Sequence, residues 1–163
     1  MTPTTPAPQR VAPPDEGQAP DGFEVMRDVG GFSDFVGPLY IQQTEHGPRI
    51  CFYVLERHCN PLGVAHGGWL MAVMDHVIAG AGATDRGRVE GGITVSAHFD
   101  FLAPIPAGTW CETEITLCER KKTLAFVEAR ILGPDRVLLR CNGTVAYRRP
   151  PAPSDGDATG SSR

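Results

Sequence analysis

The sequence predicts an α+β domain in which a single long helix packs against an antiparallel sheet. Residues 66–84 form the predicted helix, and the small side chains along it would let a sheet approach closely. Four strand-like runs follow at residues 92–102, 109–119, 123–132 and 136–147, and turn-forming residues separate them. With the strands that precede the helix, this pattern indicates a sheet of five or six strands.

Two strands are predicted before the helix. Residues 39–44 and 49–56 have strand composition, and the segment 45–48 between them is turn-like. Residues 60–65 then predict a loop, because they contain Pro61 and Gly63. This loop leads directly into the helix.

Length and composition favour one domain. The chain has 163 residues, of which 41% are hydrophobic, which suits a single core. Residues 1–22 and 150–163 are predicted to be disordered around a domain at 23–149, because they cannot bury enough apolar surface to offset the entropy of ordering. No run is apolar enough for a signal peptide or a membrane span, so a cytoplasmic protein is expected. The net charge of -4 disfavours a nucleic-acid-binding protein.

The most informative motif is His66-Gly67-Gly68 at the predicted helix start, with Asp75 two turns further on. The first amides of a helix have no internal partner and lie at the positive end of its dipole, and glycines leave them accessible. Such amides can stabilise an oxyanion. Asp75 falls on nearly the same helix face, without a Lys or Arg three or four positions away. A general base and a structural carboxylate are the two hypotheses for it.

The spacing of Asn60, His66-Gly67-Gly68 and Asp75 resembles the active-site signature of hotdog-fold acyl-CoA thioesterases, in particular the phenylacetyl-CoA thioesterase-like family. Residues 92–104, 122–131 and 136–147 resemble strands of that family, so the likeness extends over residues 32–148. It implies a hotdog fold, in which one long central helix is wrapped by the five- to six-stranded antiparallel sheet. It also implies a homodimer or homotetramer with active sites at the subunit interface, and apolar residues on both faces of strand 95–102 agree with such burial.

The resemblance implies catalytic roles for four residues. Asp75 would be the general base, or the nucleophile, and the Gly67 amide would polarise the thioester carbonyl. Asn60 would hold the carbonyl or the water, and Thr94 would orient the attacking water. From the residues alone, Asn60 before a proline is better explained as a turn residue, and Thr94 is equally a strand residue with Ser96 expected on the same side.

Substrate contacts are expected around the helix start. His66 is expected to shape the turn by hydrogen bonding, and Gly68 is a second candidate for the oxyanion amide. Trp69 would line the acyl pocket or make a core or dimer contact.

The phosphates of CoA would need local cations. Arg120-Lys121-Lys122, at a predicted hairpin, is the best cluster for them, and an ordinary solvated turn is the alternative. Many family members carry a basic residue where this chain has Ala103. The grip on CoA is therefore expected to differ, or the acyl carrier is another molecule.

The five cysteines show no metal-ligand spacing, so neither zinc nor disulfides are expected. Cys51, Cys111 and Cys141 lie in apolar strand patterns and are expected to be buried. Cys59 is the one candidate nucleophile among them.

The predicted function is hydrolysis of a medium-chain or aryl acyl-CoA to the free acid and CoA, with no cofactor and no metal. A hotdog hydratase or dehydratase would need a histidine and a carboxylate across the site, whereas Asp75 and His76 point about 100° apart on a helix. A non-catalytic acyl-CoA-binding protein would keep the pocket without needing Asp75. His98 and Asp100 are expected to form a polar pair on the sheet surface.

Overall fold

The computed structural model describes residues 19–26, 31–44, 47–85, 88–89 and 92–147. Nearly all of the two segments predicted to be disordered lies outside these residues. Residues 19–22, which that prediction included, are described and form a turn that leads into the first strand.

The long helix, α2 (Gly67–Ala83), agrees with its prediction to within one residue at each end. It begins at Gly67 because the His66 carbonyl accepts its first internal bond, from the Leu70 amide. Two short elements were not predicted. Helix α1 (Phe32–Val36) has five residues, and a 3-10 turn (Glu56–His58) occupies the end of a predicted strand. Both are too short for a periodic pattern to reveal.

The strands of the described residues are β1 (Glu24–Val25), β2 (Tyr40–Thr44), β3 (Gly47–Tyr53), β4 (Thr84–Asp85), β5 (Arg88–Val89), β6 (Gly92–Phe101), β7 (Trp110–Arg120), β8 (Leu124–Leu132) and β9 (Val137–Tyr147). Seven of them form one antiparallel sheet in the order β1-β2-β3-β7-β8-β9-β6, and β4 and β5 make a separate two-stranded ladder. The prediction of five or six strands is too low by one, because the two-residue β1 pairs with β2 at one edge.

The main core lies between α2 and the inner face of the sheet. Glycines let the two layers approach closely, since a Cβ at Gly82 would lie 2.7 Å from the Val145 Cβ, and one at Gly143 would lie 2.6 Å from the Ile78 Cδ1. The buried side chains of this layer come from the first three turns of α2 and from alternate positions of β8 and β9: Leu70, Val73, Met74, Val77, Ile78, Val127, Ile131, Leu139 and Val145. The predicted role of the small helix residues is thus confirmed at Gly82.

The edges of the sheet differ. At the β1 edge, a second cluster of Tyr40, Cys51 and Tyr53 is packed by Phe23 and Trp110, so the chain before β2 covers it. We call this the covered edge. At the other end, no described strand pairs with the outer side of β6, and we call that side the open edge. It presents large exposed apolar side chains at Ile93, Val95 and Phe101.

Candidate active site

The two glycine amides at the start of α2 have different surroundings. The Gly68 amide donates to His66 Nδ1 over 3.0 Å, so the imidazole caps the helix as a turn-shaping residue. The Gly67 amide donates to no group in the described part of the chain. Of the two candidates for the oxyanion donor, Gly67 therefore offers the free N–H.

Phe101, which the sequence did not single out, lies against Gly67. A Cβ built on Gly67 would lie 3.3 Å from the Phe101 Cζ and 3.5 Å from its Cε1. The contact joins the last residue of β6 to the first residue of α2. No periodicity or motif spacing could have predicted it, because it depends on how the strand and the helix cross.

Asp75 lies on the solvent-exposed part of α2. Eight residues separate it from Gly67, so it is turned about 80° around the axis and lies about 12 Å further along. The opposite flank of the helix carries Trp69 and His76, which bond to α1, so Asp75 lies on the flank towards the open edge, near the exposed Met71. Its carboxylate has no ion-pair or hydrogen-bond partner among the described residues, and it stays accessible to water.

Asn60 lies in the loop that leads into α2. Its Oδ1 accepts the Leu62 amide over 2.9 Å, the bond expected of a turn residue. Its backbone amide donates to the Val64 carbonyl, and a bridge between Cys59 and Ala65 closes the loop. The side-chain NH₂ donates to no described group, so it remains able to hold a substrate oxygen.

Thr94 lies on the inner face of β6, opposite the buried Val145. Its hydroxyl is buried and has no hydrogen-bond partner in the described structure. A β-bulge between Thr94 and Ser96 shifts the register, so Ser96 pairs with Thr144 on the outer face. The prediction that Ser96 lies on the same side as Thr94 is therefore wrong.

Phe101 lies seven positions after Thr94 along β6, about 23 Å at about 3.3 Å per residue. Thr94 and Gly67 therefore lie towards opposite ends of α2 in one protomer. The two residues could not contact one thioester within the same chain.

Trp69 is held within the fold. Its ring stacks on His58 with centroids 4.1 Å apart, meets Phe52 edge-on at 5.2 Å, and donates through Nε1 to the Val36 carbonyl over 2.8 Å. Ser33 is hydrogen-bonded to Nε2 of His76, whose Nδ1 donates to the Ala72 carbonyl. The described contacts of Trp69 and His76 thus attach α1 to α2.

The three predicted cations have different contacts. Arg120 Nη2 donates to the Ala81 carbonyl over 3.0 Å and its guanidinium lies 4.9 Å from the centre of the Tyr147 ring, so it binds the end of α2. Lys121 pairs with Glu119 at 2.6 Å, and Lys122 is exposed without a partner among the described residues. Because Arg120 contacts the end of α2, the cluster lies about 21 Å along the helix from Gly67 in the same protomer.

Three cysteines are buried as predicted, and a fourth, Cys59, is not activated as a nucleophile. Cys51, Cys111 and Cys141 are buried, and burial raises the pKa of the first two thiols to about 12 and of the third to about 11. Burial also raises the pKa of Cys59, whose thiol donates to the Leu55 carbonyl at 3.5 Å. A raised pKa disfavours the thiolate that a nucleophile needs, so the structure gives no support to a catalytic Cys59.

Other features of the described residues lie apart from this site. His98 and Asp100 form the predicted polar pair at 3.3 Å on the outer face, where Arg140 also binds Asp100. A groove of about 330 Å³ on the same face, lined by Phe126 and Leu117 among others, is separated from α2 by the sheet. No helix in these residues is long and apolar enough to span a bilayer.

Comparison with known proteins connects this geometry to a family. The model of the thioesterase superfamily matches residues 62–139, which include Gly67, Asp75, Thr94 and Phe101. A Pseudomonas aeruginosa protein named "Putative esterase PA0474" is 27% identical over 125 residues, covering 76% of this chain and 93% of the relative. The chain has the hotdog fold, and its residues 62–139 are similar to the thioesterase superfamily.

Solved structures agree on that hotdog fold. The phenylacetic acid degradation protein PaaI from Thermus thermophilus, in a mutant form, is similar with a TM-score of 0.61 and 23% identity, over 72% of this chain and 98% of that one. Smu.793 from Streptococcus mutans UA159, bound to acetyl CoA, is similar with a TM-score of 0.60 and 13% identity, over 76% and 95%. The fold and the family resemblance predicted from the sequence are confirmed.

Proposed function

We propose that this protein is an acyl-CoA thioesterase that hydrolyses a medium-chain or aryl thioester. The observation that carries the proposal is the free Gly67 amide at the start of α2, with the unpaired Asp75 carboxylate on the same helix. The Gly67 N–H stabilises the oxyanion that forms on the thioester carbonyl, and Asp75 takes the proton of the attacking water. Thiolate leaves as the acyl–sulfur bond breaks, giving the free acid and CoA.

The active unit of the proposal is a homodimer joined through the open edge. A long apolar strand with unpaired backbone groups is a template for pairing, and a two-fold axis would set β6 antiparallel to β6 of a second copy. That arrangement would carry Thr94 of one protomer towards the Phe101 end of the other, which a single chain cannot do. The site would then combine groups from both copies.

The comparisons support the carrier and leave the acyl group open. Smu.793 is a hotdog protein that binds acetyl CoA, and PaaI belongs to phenylacetic acid degradation. In this chain, Lys121 and Lys122 are the exposed cations assigned to the phosphates, and Asn60 offers its side-chain NH₂ to the carbonyl or the water. A non-catalytic acyl-CoA-binding protein would have no use for Asp75.

The decisive experiment combines a substrate panel with one substitution. Acyl-CoA thioesters of varied chain length and aromaticity are assayed for released thiol, with wild type and with Asp75→Asn. Asp75→Asn should lower kcat by about 10²- to 10⁴-fold because the general base is lost, while a non-hydrolysable acyl-CoA thioether still binds. Asp135→Asn, which changes an exposed carboxylate at the β8–β9 turn, is the matched control. Normal turnover by Asp75→Asn would remove Asp75 from the mechanism, and thioether binding without turnover by wild type would favour a binding protein.

The oxyanion donor can be tested separately at Gly67. Proline is tolerated at the first position of a helix and has no N–H, so Gly67→Pro removes the donor with little change of backbone. Gly67→Ala adds a Cβ but keeps the N–H. Since losing one oxyanion donor costs about 10²- to 10³-fold in kcat, Gly67→Pro should fall below Gly67→Ala by that factor. Equal kcat values for the two variants would contradict the assignment.

A further inference from the structure

One side chain beside Gly67 has no part in the proposed mechanism. Phe101 ends β6 with its ring against Gly67, and three ring carbons lie 3.3 to 4.0 Å from where a Cβ would be. At 51% exposure, it is not one of the buried side chains of the core. The ring therefore has one part on the glycine and another part open to solvent or to a bound molecule.

The backbone holds this ring in position. Phe101 pairs with Leu139 at the end of the β6–β9 ladder, and the following amide, of Leu102, donates to the Leu138 carbonyl over 2.9 Å. The ring thus projects from an anchored strand end rather than from a free loop. Glycine at position 67 is what makes room for it.

Water competes with a substrate for a free N–H, and a donor in a water-excluded site stabilises developing charge far more than one in bulk water. A phenyl ring has no strong hydrogen-bond donor or acceptor. It can therefore exclude water from an amide N–H without competing with the substrate oxygen for that N–H.

We propose that Phe101 is a positioning residue of the oxyanion site, whose ring excludes water from the Gly67 amide. This inference rests on the proposed thioesterase function. The ring does not take part in a bond-making step; it acts through Gly67. Its effect belongs to the transition state, where charge on the carbonyl oxygen is greatest, and so to kcat more than to KM.

The test compares four variants for kcat and KM on the best thioester of the panel. Phe101→Ala removes the ring, Phe101→Tyr keeps it, and Gly67→Ala displaces it because the added Cβ would meet the ring at 3.3 Å. The control is Phe126→Ala, which removes a phenyl ring of similar exposure, 42%, from the outer face of the sheet. Light scattering checks that each variant keeps the wild-type oligomeric state.

Phe101→Ala should lower kcat by about tenfold with a KM change below about threefold, a smaller loss than deleting the donor itself. Phe101→Tyr and Phe126→Ala should stay within about twofold of wild type, since neither uncovers the amide. Gly67→Ala should match Phe101→Ala, and the double variant should be no slower than the slower single variant, because both changes remove the same contact. If Phe101→Ala fails to fold, the kcat of Gly67→Ala decides, since β6 is unchanged in it.

Three results would overturn the proposal: an unchanged kcat for Phe101→Ala, an equal loss for Phe126→Ala, or losses that multiply in the double variant. Loss of turnover in Asp75→Asn together with normal kcat in Phe101→Ala would leave the thioesterase function standing and reject the role of Phe101. A wild-type protein that hydrolyses no thioester would reject both.

Discussion

The two edges of the sheet differ in length, charge and covering. The covered edge ends in a strand of two residues, with the exposed Glu24 on it, and the segment before it packs Phe23 onto Trp110 with ring centroids 5.2 Å apart. The open edge is a strand of ten residues with exposed apolar side chains, among them Ile93, at 74% exposure. Short, charged and covered edges resist pairing, whereas long apolar edges invite it.

The polar groups of the candidate site lie on the side of the open edge. Three polar groups on this side have no partner among the described residues: the Gly67 amide, the Asp75 carboxylate and the buried hydroxyl of Thr94. Between β3 and β7, by contrast, the buried Thr113 hydroxyl has a partner, because it donates to the Ile50 carbonyl over 2.8 Å. In the proposed function, association and catalysis both use the open edge.

Among changes that test the contrast between the two edges, the largest effect is expected from placing a charge on the open edge. Ile93→Lys should prevent β6 from pairing with a second copy, since a lysine on an edge strand disfavours association. Light scattering should show a monomer, and turnover should fall by about 10²-fold at low enzyme concentration and recover in part as concentration rises, by mass action. The control on the covered edge, Glu24→Gln, also raises the net charge by one. It should leave the molar mass measured by light scattering and the turnover unchanged. A monomeric wild type, or a fully active monomer, would contradict the proposed pairing through the open edge.

A smaller effect is expected where α2 seats on the strands beside the open edge. A Cβ at Gly82 would lie 2.7 Å from the Val145 Cβ, whereas one at Gly80 would meet nothing within 4 Å. Gly80→Ala should raise the free energy of unfolding by about 0.5–1 kcal/mol through helix propensity. The free energy of unfolding of Gly82→Ala should be lower than that of Gly80→Ala by about 1–3 kcal/mol, the usual cost of overpacking. Denaturant unfolding of the two variants measures the difference, and equal values would mean that α2 can shift on the sheet.

Much of this fold could be predicted because its long elements carry their own signals. The bounds of α2 and of β6 to β9 agree with the prediction to within one residue at nearly every end, since turn-forming segments separate them. The first strand pair was predicted less well: β3 ends at Tyr53, because the chain turns into the 3-10 segment there. Short elements such as α1 depend on tertiary contacts, here the bonds of Ser33 and Val36 to α2.

The candidate site shows the same division. The positions of Gly67 and Asp75, at the start of α2 and two turns further on, follow from the helix and were predictable. The bulge that separates Thr94 from Ser96 leaves no mark in the alternation of residues, and the contact of Phe101 with Gly67 depends on the crossing of two elements. Arg120, predicted at a turn, instead binds the end of α2 through a contact 39 residues away. What the sequence could not supply is the relative position of distant segments.

The smallest effect is expected at the covered edge. Phe23→Ala should lower the free energy of unfolding by about 1–2 kcal/mol, since Phe23 is only partly buried, and should speed the reaction of Cys51 with a thiol reagent at neutral pH.

Cys51 is a sensitive reporter because burial, reinforced by Glu112, raises its pKa from 9.0 to about 12. Between about pH 9 and about pH 12, the native Cys51 thiol keeps a proton that the unfolded thiol loses. The native state then binds more protons than the unfolded state, so the contribution of Cys51 to the free energy of unfolding falls as pH rises above about 9. The exposed Cys118 should react quickly in both proteins and so serves as the internal standard. An unchanged rate at Cys51 would mean that the segment before β2 does not protect this end of the sheet, and the covered edge would then differ from the open edge only in its length.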